Sequence, residues 1–565
     1  MKYIKLIIIF LISLQLIKLP VYSQEPNLSQ EIIGIETLQS DNALINQLRD
    51  KGFIIKPVSS KQIYSPYVNS HLPIYVTADS VLQTFHTLYS ESLVKVEEAN
   101  TDKLVILLKL LLERTIGGLS IESQEKVHIA LEKNLLALQL LVALLDKEKP
   151  SDLLPEVSKE LSLIESADKV QESPILGAKV NYQQLLAPKE FSEKRARLFR
   201  ALVWANNWQL NLNNELEANQ AFLLIQEFAI DERLLAFYKE VDQPFSYLFG
   251  TFDGLSIESI IPTIKYILGS NPIPIAEISE SHLKTFQRLA ERINPENQPF
   301  KLFGKRVGLK ERLAEAIGED TQITQIDFDK LFSLKTSKGT NLKLREVLLT
   351  WQQKNSQSYP SQLIDCFRAL LVRKPDGRYQ HFINTPEWQS NLNTTVNVSW
   401  LTHQQLITAP SKSKTVSGGS NRYHEDFHGY VEPNKEFFFA LGKMSSNLRD
   451  NLIKLRIFIP ELDEFVNITK ILEKIVEKEL SITELSEEEI DLLENFGEIL
   501  AKLNFVAGNY NAVDLDQTFT LTVKNGLKPY QILVGKVLTL YVVAHYRGKD
   551  YLCQGAISTY SENQP

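Results

Sequence analysis

Residues 77–98 read TADSVLQTFHTLYSESLVKVEE, and this stretch sets the fold class. Val81, Leu82, Phe85, Leu88, Tyr89, Leu93 and Val96 recur at the three- and four-residue spacing that lines one face of an α-helix. Thr77 or Asp79 can cap the start, where an acid suits the positive end of the helix dipole. Two Leu-rich segments follow, Lys103 to Arg114 and Glu125 to Asp146, separated by Gly117-Gly118. Each is apolar on more than one face, which predicts a deeply buried helical hairpin. Lys109, Glu132 and Lys133 interrupt the apolar runs and argue against a membrane span.

Helical periodicity continues to about residue 515. Helices are predicted over Ser192 to Glu217, Glu280 to Arg292, Arg312 to Ile317 and Asn341 to Gln353. Residues 147–178, with Pro150, Pro155, Pro174 and Gly177, read as a crossing segment, and Pro244 to Gly254 as a loop. Pro262 to Gly269 and Asn271 to Pro274 punctuate the middle of the chain. The Ser/Lys/Gly-rich residues 408–421 are the best candidate for an exposed loop. Pro433 opens a helical block to about Leu503, inside which Ser486 and Glu489 match a capping box. The period then changes to two. Thr518 to Val523, Val537 to His545 and Tyr551 to Tyr560 alternate, and Arg547-Gly548 forms a turn. The expectation is a mainly α protein: a large bundle-like body over 24–515, built as one or two packed subdomains, with a small antiparallel β element over 516–565 packed on it.

The amino terminus carries Lys2 and Lys5, an apolar run from Leu6 to Ile17, then Pro20 and Val21-Tyr22-Ser23. That is the pattern of a cleaved secretory signal over residues 1–23, with an uncleaved anchor as the alternative. The apolar run is short of the roughly 20 residues of a spanning helix, and no Cys stands near the cut for lipidation. A secreted or periplasmic location is expected, with no transmembrane helix in the mature chain. Removing residues 1–23 takes away three Lys and no acid, leaving 58 basic against 69 acidic residues, a net charge of −11. An acidic chain without a basic run has no pull toward nucleic acid. Two cysteines, Cys366 and Cys553, are compatible with one bridge or with two buried thiols, and too few for a disulfide framework or a CxxC site. No GxSxG elbow, P-loop or dinucleotide fingerprint is present.

Several local patterns, in order along the chain, carry a family resemblance. Leu72-Pro73-Ile74-Tyr75-Val76-Thr77-Ala78-Asp79-Ser80-Val81-Leu82 with His86 is similar to a Pro-x-Phe-Val-Thr-x-Asp-x-Leu-Leu-His-x-x-His helix start, with Gln83 at the first His. Asn181-Tyr182-Gln183-Gln184, followed by Arg200-Ala201-Leu202-Val203-Trp204, resembles an Asp-Tyr-Ser-Gln…Phe-Arg-Ala…Trp stretch; Lys189-Glu190-Phe191 replaces the Arg-Gly-His-Tyr between them. Gly250 to Ser256 resembles a Gly-x-x-Asp-Asp-Leu-Thr loop with Gly254 at the second Asp. Trp388 through Trp400 and His403 resembles a Trp…Ser-Trp…Arg-His-Asp stretch lacking its Arg and Asp. Gly429-Tyr430-Val431-Glu432-Pro433 matches Gly-Tyr-Val-Glu-Pro, and Gln554 to Tyr560 resembles an Arg-Gly-Ala-Val-Phe-Ser-Tyr-Tyr ending. Together they resemble the secreted bacterial and archaeal proteins of domain-of-unknown-function family 3160. The resemblance implies a secreted, mainly helical protein and supplies no activity. The polar positions lost here are those a family-wide site would use.

Among the residues themselves, His424-Glu425-Asp426-Phe427-His428 is a literal H-E-x-x-H. On a helix its two His would share one zinc, with Glu425 as general base on the bound water. Ser417-Gly418-Gly419 upstream and Gly429 and Pro433 downstream favour a polar loop instead. Asp79, Gln83 and His86 share one helix face, either as a polar site or as packing groups in the core. Asp253, with Asp242 nearby, offers loop oxygens to Ca²⁺ without the ordered spacing of a calcium loop. Trp204, Trp208, Trp388 and Trp400 fit a sugar-binding groove or a core, and helical spacing favours core for Trp204 and Trp208. No cofactor is predicted, zinc and calcium being the two weak options. The expectation leans away from an enzyme, toward a binding scaffold for an envelope component, a polysaccharide or a protein partner. The alternative is an extracellular hydrolase using His424, Glu425 and His428 or the Asp79/His86 face. An enzyme requires these groups to converge on one cleft.

Overall fold

The computed structural model describes residues 31–563 except 39–40, 61, 69, 122, 149–151, 168, 190, 252–253, 270–272, 274, 295–296, 304–308, 310–311, 314–327, 333–339, 373–380, 407–426, 505–516 and 522–529. Residues 1–23, the 408–421 segment, Asp253, His424 and Glu425 therefore lie outside the described residues.

The opening stretch belongs to one uninterrupted helix, Ala78–Leu119, of 42 residues. Thr77 caps it: its Oγ1 accepts from Ser80 N at 3.2 Å and donates to the Ala556 carbonyl at 2.6 Å, so the cap also ties the helix to the C-terminal strand. Gly117-Gly118 does not end the helix. A Cβ on Gly118 would come within 2.7 Å of Ile275 Cδ1, so this glycine permits close packing rather than a break. Its antiparallel partner is Glu125–Leu145. That helix is long and apolar enough to cross a membrane, but its apolar residues pack in a protein core. Ser192 to Glu217 splits into Glu193–Asn207 and the start of Glu215–Ile230, which Asn214 caps through Glu217 N. Pro244, read as a loop residue, lies inside Glu232–Phe249, whose buried apolar face outweighs one missing backbone donor. The last helical block resolves into Lys435–Lys454, Pro460–Ser481 and Glu487–Leu503, the last opened by the expected Ser486/Glu489 capping box.

The β structure is not confined to the C-terminus, which corrects the expected fold class. The C-terminal hairpin is there, Tyr530–Tyr546 against Lys549–Asn563, joined through Arg547 and Gly548 at positive φ. Both its edges are extended by segments from elsewhere in the chain. Phe53–Ser60 pairs antiparallel with the first strand, Phe53 opposite Val542, and Gln517–Leu521 pairs further along it. Ile32–Ile33 and Ile74–Val76 lie parallel to the second strand, and Gly429–Val431 lies parallel to Ile74–Val76. A long hairpin with two open edges needs such cover. A second, two-stranded sheet, Val170–Glu172 with Lys179–Asn181, follows the helix Pro155–Ser166 in the segment expected only to cross.

Alternation along the hairpin divides the sheet between two cores. Leu540, Val542 and Ala544 face the larger one, while Tyr541 and Val543 face a small cluster covered by Leu48 of the helix Asn42–Lys51. The larger core also holds the first half of the long helix, Tyr359–Leu371, Pro386–Leu406 and the last three helices. Another core is mainly helical, holding the second half of the long helix and most of residues 125–303. Cys366 and Cys553 are free and buried in the larger core, and burial pushes both thiols up.

Candidate functional site

The N-terminal face of the long helix meets Pro386–Leu406 along a polar seam inside the larger core. Asp79 Oδ1 accepts from the Ser558 amide at 3.0 Å and from the Ser558 hydroxyl, and Oδ2 accepts from Thr395 Oγ1 at 2.6 Å. One residue earlier the Ala78 amide donates to Glu432 Oε2 at 2.9 Å. His86 Nε2 lies 2.7 Å from Ser399 Oγ. His403 is ringed by Tyr89, Tyr359 and Trp400, with centroids 5.1–5.7 Å away. Thr395, Ser399 and His403 recur every four residues, so one helix face answers the other. On the flank, Asn504 donates to Thr84 Oγ1 and accepts from Thr87 Oγ1.

Asp79, His86 and His403 are each at most 4 % exposed. Burial pushes the Asp79 carboxyl up to about 6 against the pull of its hydrogen bonds. Burial holds both imidazoles down at about 3, the neighbouring His403 adding to the effect on His86. At neutral pH both rings are uncharged, and no surface ligand reaches any of the three.

His428 stands elsewhere, at the rim of a cleft of about 240 Å³ lined also by Tyr430, Glu479, Glu484, Tyr546 and Arg547. It is not helical: Gly429–Val431 is a strand and His428 precedes it. Its Nδ1 is 2.7 Å from Glu494 Oε1, and Arg547 pairs with Glu484. Burial pushes the Glu479 carboxyl well above the carboxylate range. Its Oε1 accepts from Val431 N at 3.0 Å, while Oε2 has no partner among the described residues. Glu479 lines this opening. No cluster of three His, Cys, Asp or Glu side chains suited to a metal ion occurs among the described residues.

A cleft of about 390 Å³ lies in the helical half, between the end of Glu125–Leu145, Pro155–Ser166 and Glu193–Asn207. Leu144, Leu161, Ile164, Leu185 and Leu186 form its apolar walls, and Lys147, Arg197 and Arg200 bring cations to it. Behind it the buried Glu160 fastens two of the helices. Oε1 accepts from Tyr182 Oη at 2.7 Å and Trp204 Nε1 at 2.8 Å, and Oε2 from Ser173 Oγ at 2.5 Å. Trp204, Trp208, Trp388 and Trp400 are all buried and line no groove. Asp242 accepts from Ser246 Oγ.

Three of the stretches that carry the family resemblance are far apart in sequence and adjacent in space. Leu72–Leu82, Gly429–Pro433 and Gln554–Tyr560 meet around Ala78, where Ile74–Val76, Gly429–Val431 and the C-terminal strand pair and Glu432, Thr77 and Ser558 close the junction. The model of the family described as proteins of unknown function, number 3160, matches residues 41–324 and 338–565. The chain belongs to domain-of-unknown-function family 3160. No curated protein and no solved structure matches it. Membership in family 3160 fixes kinship and leaves activity open. In this family 3160 chain, His428 is the sequence-predicted site residue that lines one of these clefts, while Glu479, Arg197 and Arg200 are lining residues the sequence did not single out as a site.

Proposed function

We propose that this family 3160 chain is an exported, non-catalytic binding protein of the cell envelope, whose partner is an envelope component, a polysaccharide or another protein. One observation carries the reading. A hydrolase needs its acid and base within hydrogen-bond reach of substrate, yet Asp79, His86 and His403 are sealed in the core, with Asp79 tied to Ser558 of the C-terminal strand and to Thr395, and His86 to Ser399 on the facing helix. The signal-like residues 1–23 support export.

The second reading is an extracellular hydrolase, favoured by the raised carboxyl of Glu479 in one cleft with the His428–Glu494 pair. The two are separated by incubating the purified protein with chromogenic glycoside, ester, phosphate and peptide substrates, and by measuring its binding to isolated envelope polysaccharide. The expected result is no turnover and saturable binding. Turnover abolished in Glu479→Gln would replace the binding reading with the hydrolase. The metal version is tested on protein purified without a His tag, where stoichiometric zinc lost in His424→Ala/His428→Ala would do the same.

A further inference from the structure

We propose that the cleft between Glu125–Leu145, Pro155–Ser166 and Glu193–Asn207 binds an amphipathic anion, a carboxylate or phosphate head carrying an apolar tail. The proposal rests on the binding reading above and names its ligand class.

The charge pattern points to the head. Three acids line the cleft and each is already engaged: Asp146 with Lys109 at 2.5 Å, Glu193 with Arg197 Nη1 at 2.7 Å, and Glu165 in a contact of its own. The cations are not spent in the same way. The side chains of Arg200 and Lys147 make no hydrogen bond or ion pair among the described residues. The Nε–H of Arg197 is buried and finds no acceptor. A buried donor left unpaired costs roughly 1–3 kcal/mol, and a guanidinium fork matches the paired oxygens of a carboxylate or phosphate. An anion seated between Arg197 and Arg200 supplies the missing acceptor.

The walls point to the tail. Leu144, Leu161, Ile164 and Leu185 give the cleft an apolar floor, and Leu186 stands at its lip 59 % exposed, an unusual position for Leu unless something covers it. The volume falls in the range of small-ligand pockets, roughly 300–1,000 Å³. A bare anion would leave the floor uncovered, and a hydrocarbon would leave the Arg197 donor unpaired. The Glu160 fastening of Tyr182 and Trp204 keeps the walls in place without a ligand, so ordering them costs little on binding.

Calorimetry with dodecanoate and dodecyl phosphate, each below its critical micelle concentration, beside dodecanol, acetate and inorganic phosphate, tests this. One long-chain anion or both should bind with one site per chain, the tighter one identifying the head group. Dodecanol should bind at least about tenfold more weakly, and acetate and phosphate not measurably. Arg200→Gln should weaken the anion about tenfold or more, the loss of one charge-assisted contact. The exposed Leu186→Asp should abolish tail binding while circular dichroism stays unchanged. Dodecanol binding as tightly as dodecanoate, unchanged affinity in both variants, or no binding of either anion at about 1 mM would each overturn the assignment. p-Nitrophenyl dodecanoate keeps the two readings apart: its hydrolysis would overturn the non-catalytic reading and leave calorimetry to judge the cleft. Absence of both binding and hydrolysis would sink the cleft alone.

Discussion

Asp79 accepts three hydrogen bonds in a place where a carboxylate is poorly solvated, and the two facts pull its protonation in opposite directions. Burial wins, raising its pKa from 3.8 to about 6. The folded chain then holds a proton that the unfolded chain has released, so the stability contributed by neutral Asp79 is full below about pH 3.8 and is lost as pH rises through about 6. That loss is on the order of 3 kcal/mol. His86 and His403 act the other way. Their pKa values fall from 6.5 to about 3, so their contribution is full above pH 6.5 and is lost on acidification toward 3, as the unfolded chain takes up protons first. Asp79→Asn isolates the carboxyl. An amide oxygen still accepts from Ser558, and the amide NH₂ can donate to Thr395 Oγ1, which keeps its bond to the Asn391 carbonyl. In urea unfolding from pH 4 to 7 the Asn variant should lose the Asp79 decline and match or exceed the native protein at pH 7. Asp79→Ala, leaving the Ser558 donors unpaired in the core, should cost about 2–4 kcal/mol. An Asn variant as damaged as the Ala variant would show that the negative charge itself is required.

Elements divide by how much of their reason lies within their own sequence. The helical period, the Thr77 cap, the Ser486/Glu489 capping box and the Arg547-Gly548 hairpin are local, and the sequence displays them. Ile74–Val76 and Gly429–Val431 are three residues each, too short to show alternation, and they become strands only because the C-terminal hairpin leaves an edge to fill. The candidate sites were legible to a similar degree. Glu479 belongs to the same helical pattern as Glu473 and Glu477, and its burial comes from the Val431 strand, some 50 residues upstream. Arg195, Arg197 and Arg200 share one helix with different fates, the first paired with Glu97, the second with Glu193, the third with no partner among the described residues. Periodicity assigns a face and cannot assign a partner. The short parallel pair also makes a testable point. Gly429 has φ +148°, and a Cβ there would lie 2.9 Å from the Ile74 carbonyl oxygen. Gly429→Ala must push the two strands apart and disturb the Glu432 bond that closes the helix start. A loss of at least about 1–3 kcal/mol is expected, measured by urea unfolding. Native stability in this variant would mean that the pair is not held in that register.

At the scale of the whole molecule, the two large cores share helices rather than merely touching. Ala78–Leu119 places Val81, Phe85 and Leu88 in the sheet-bearing core and Leu104, Leu107 and Leu111 in the helical one. Glu232–Phe249 does the same, with Leu234 and Val241 on one side and Tyr247 and Leu248 on the other. Asn100 fastens the two helices at the crossing, donating to the Val241 carbonyl at 2.6 Å. Melting one half would require breaking both helices in mid-course and exposing their backbone groups, so the halves should unfold together. The cysteines report on this because both lie in the sheet-bearing core with their thiols buried, and a thiol reagent reaches them only through an opening. Leu138 lies in the helical core, fully buried. Leu138→Ala should destabilise by about 2–5 kcal/mol through transfer and cavity terms. If the halves are one cooperative unit, that loss reaches the thiols: under conditions where reclosing outpaces labelling, Cys366 and Cys553 should both label at least about 30-fold faster, a factor set by the lower bound of that range. The two rates should rise together, since a local opening of the C-terminal strand would release Cys553 alone. Labelling unchanged by Leu138→Ala, with the variant destabilised overall, would show that the helical half opens on its own and that the shared helices fracture near Asn100.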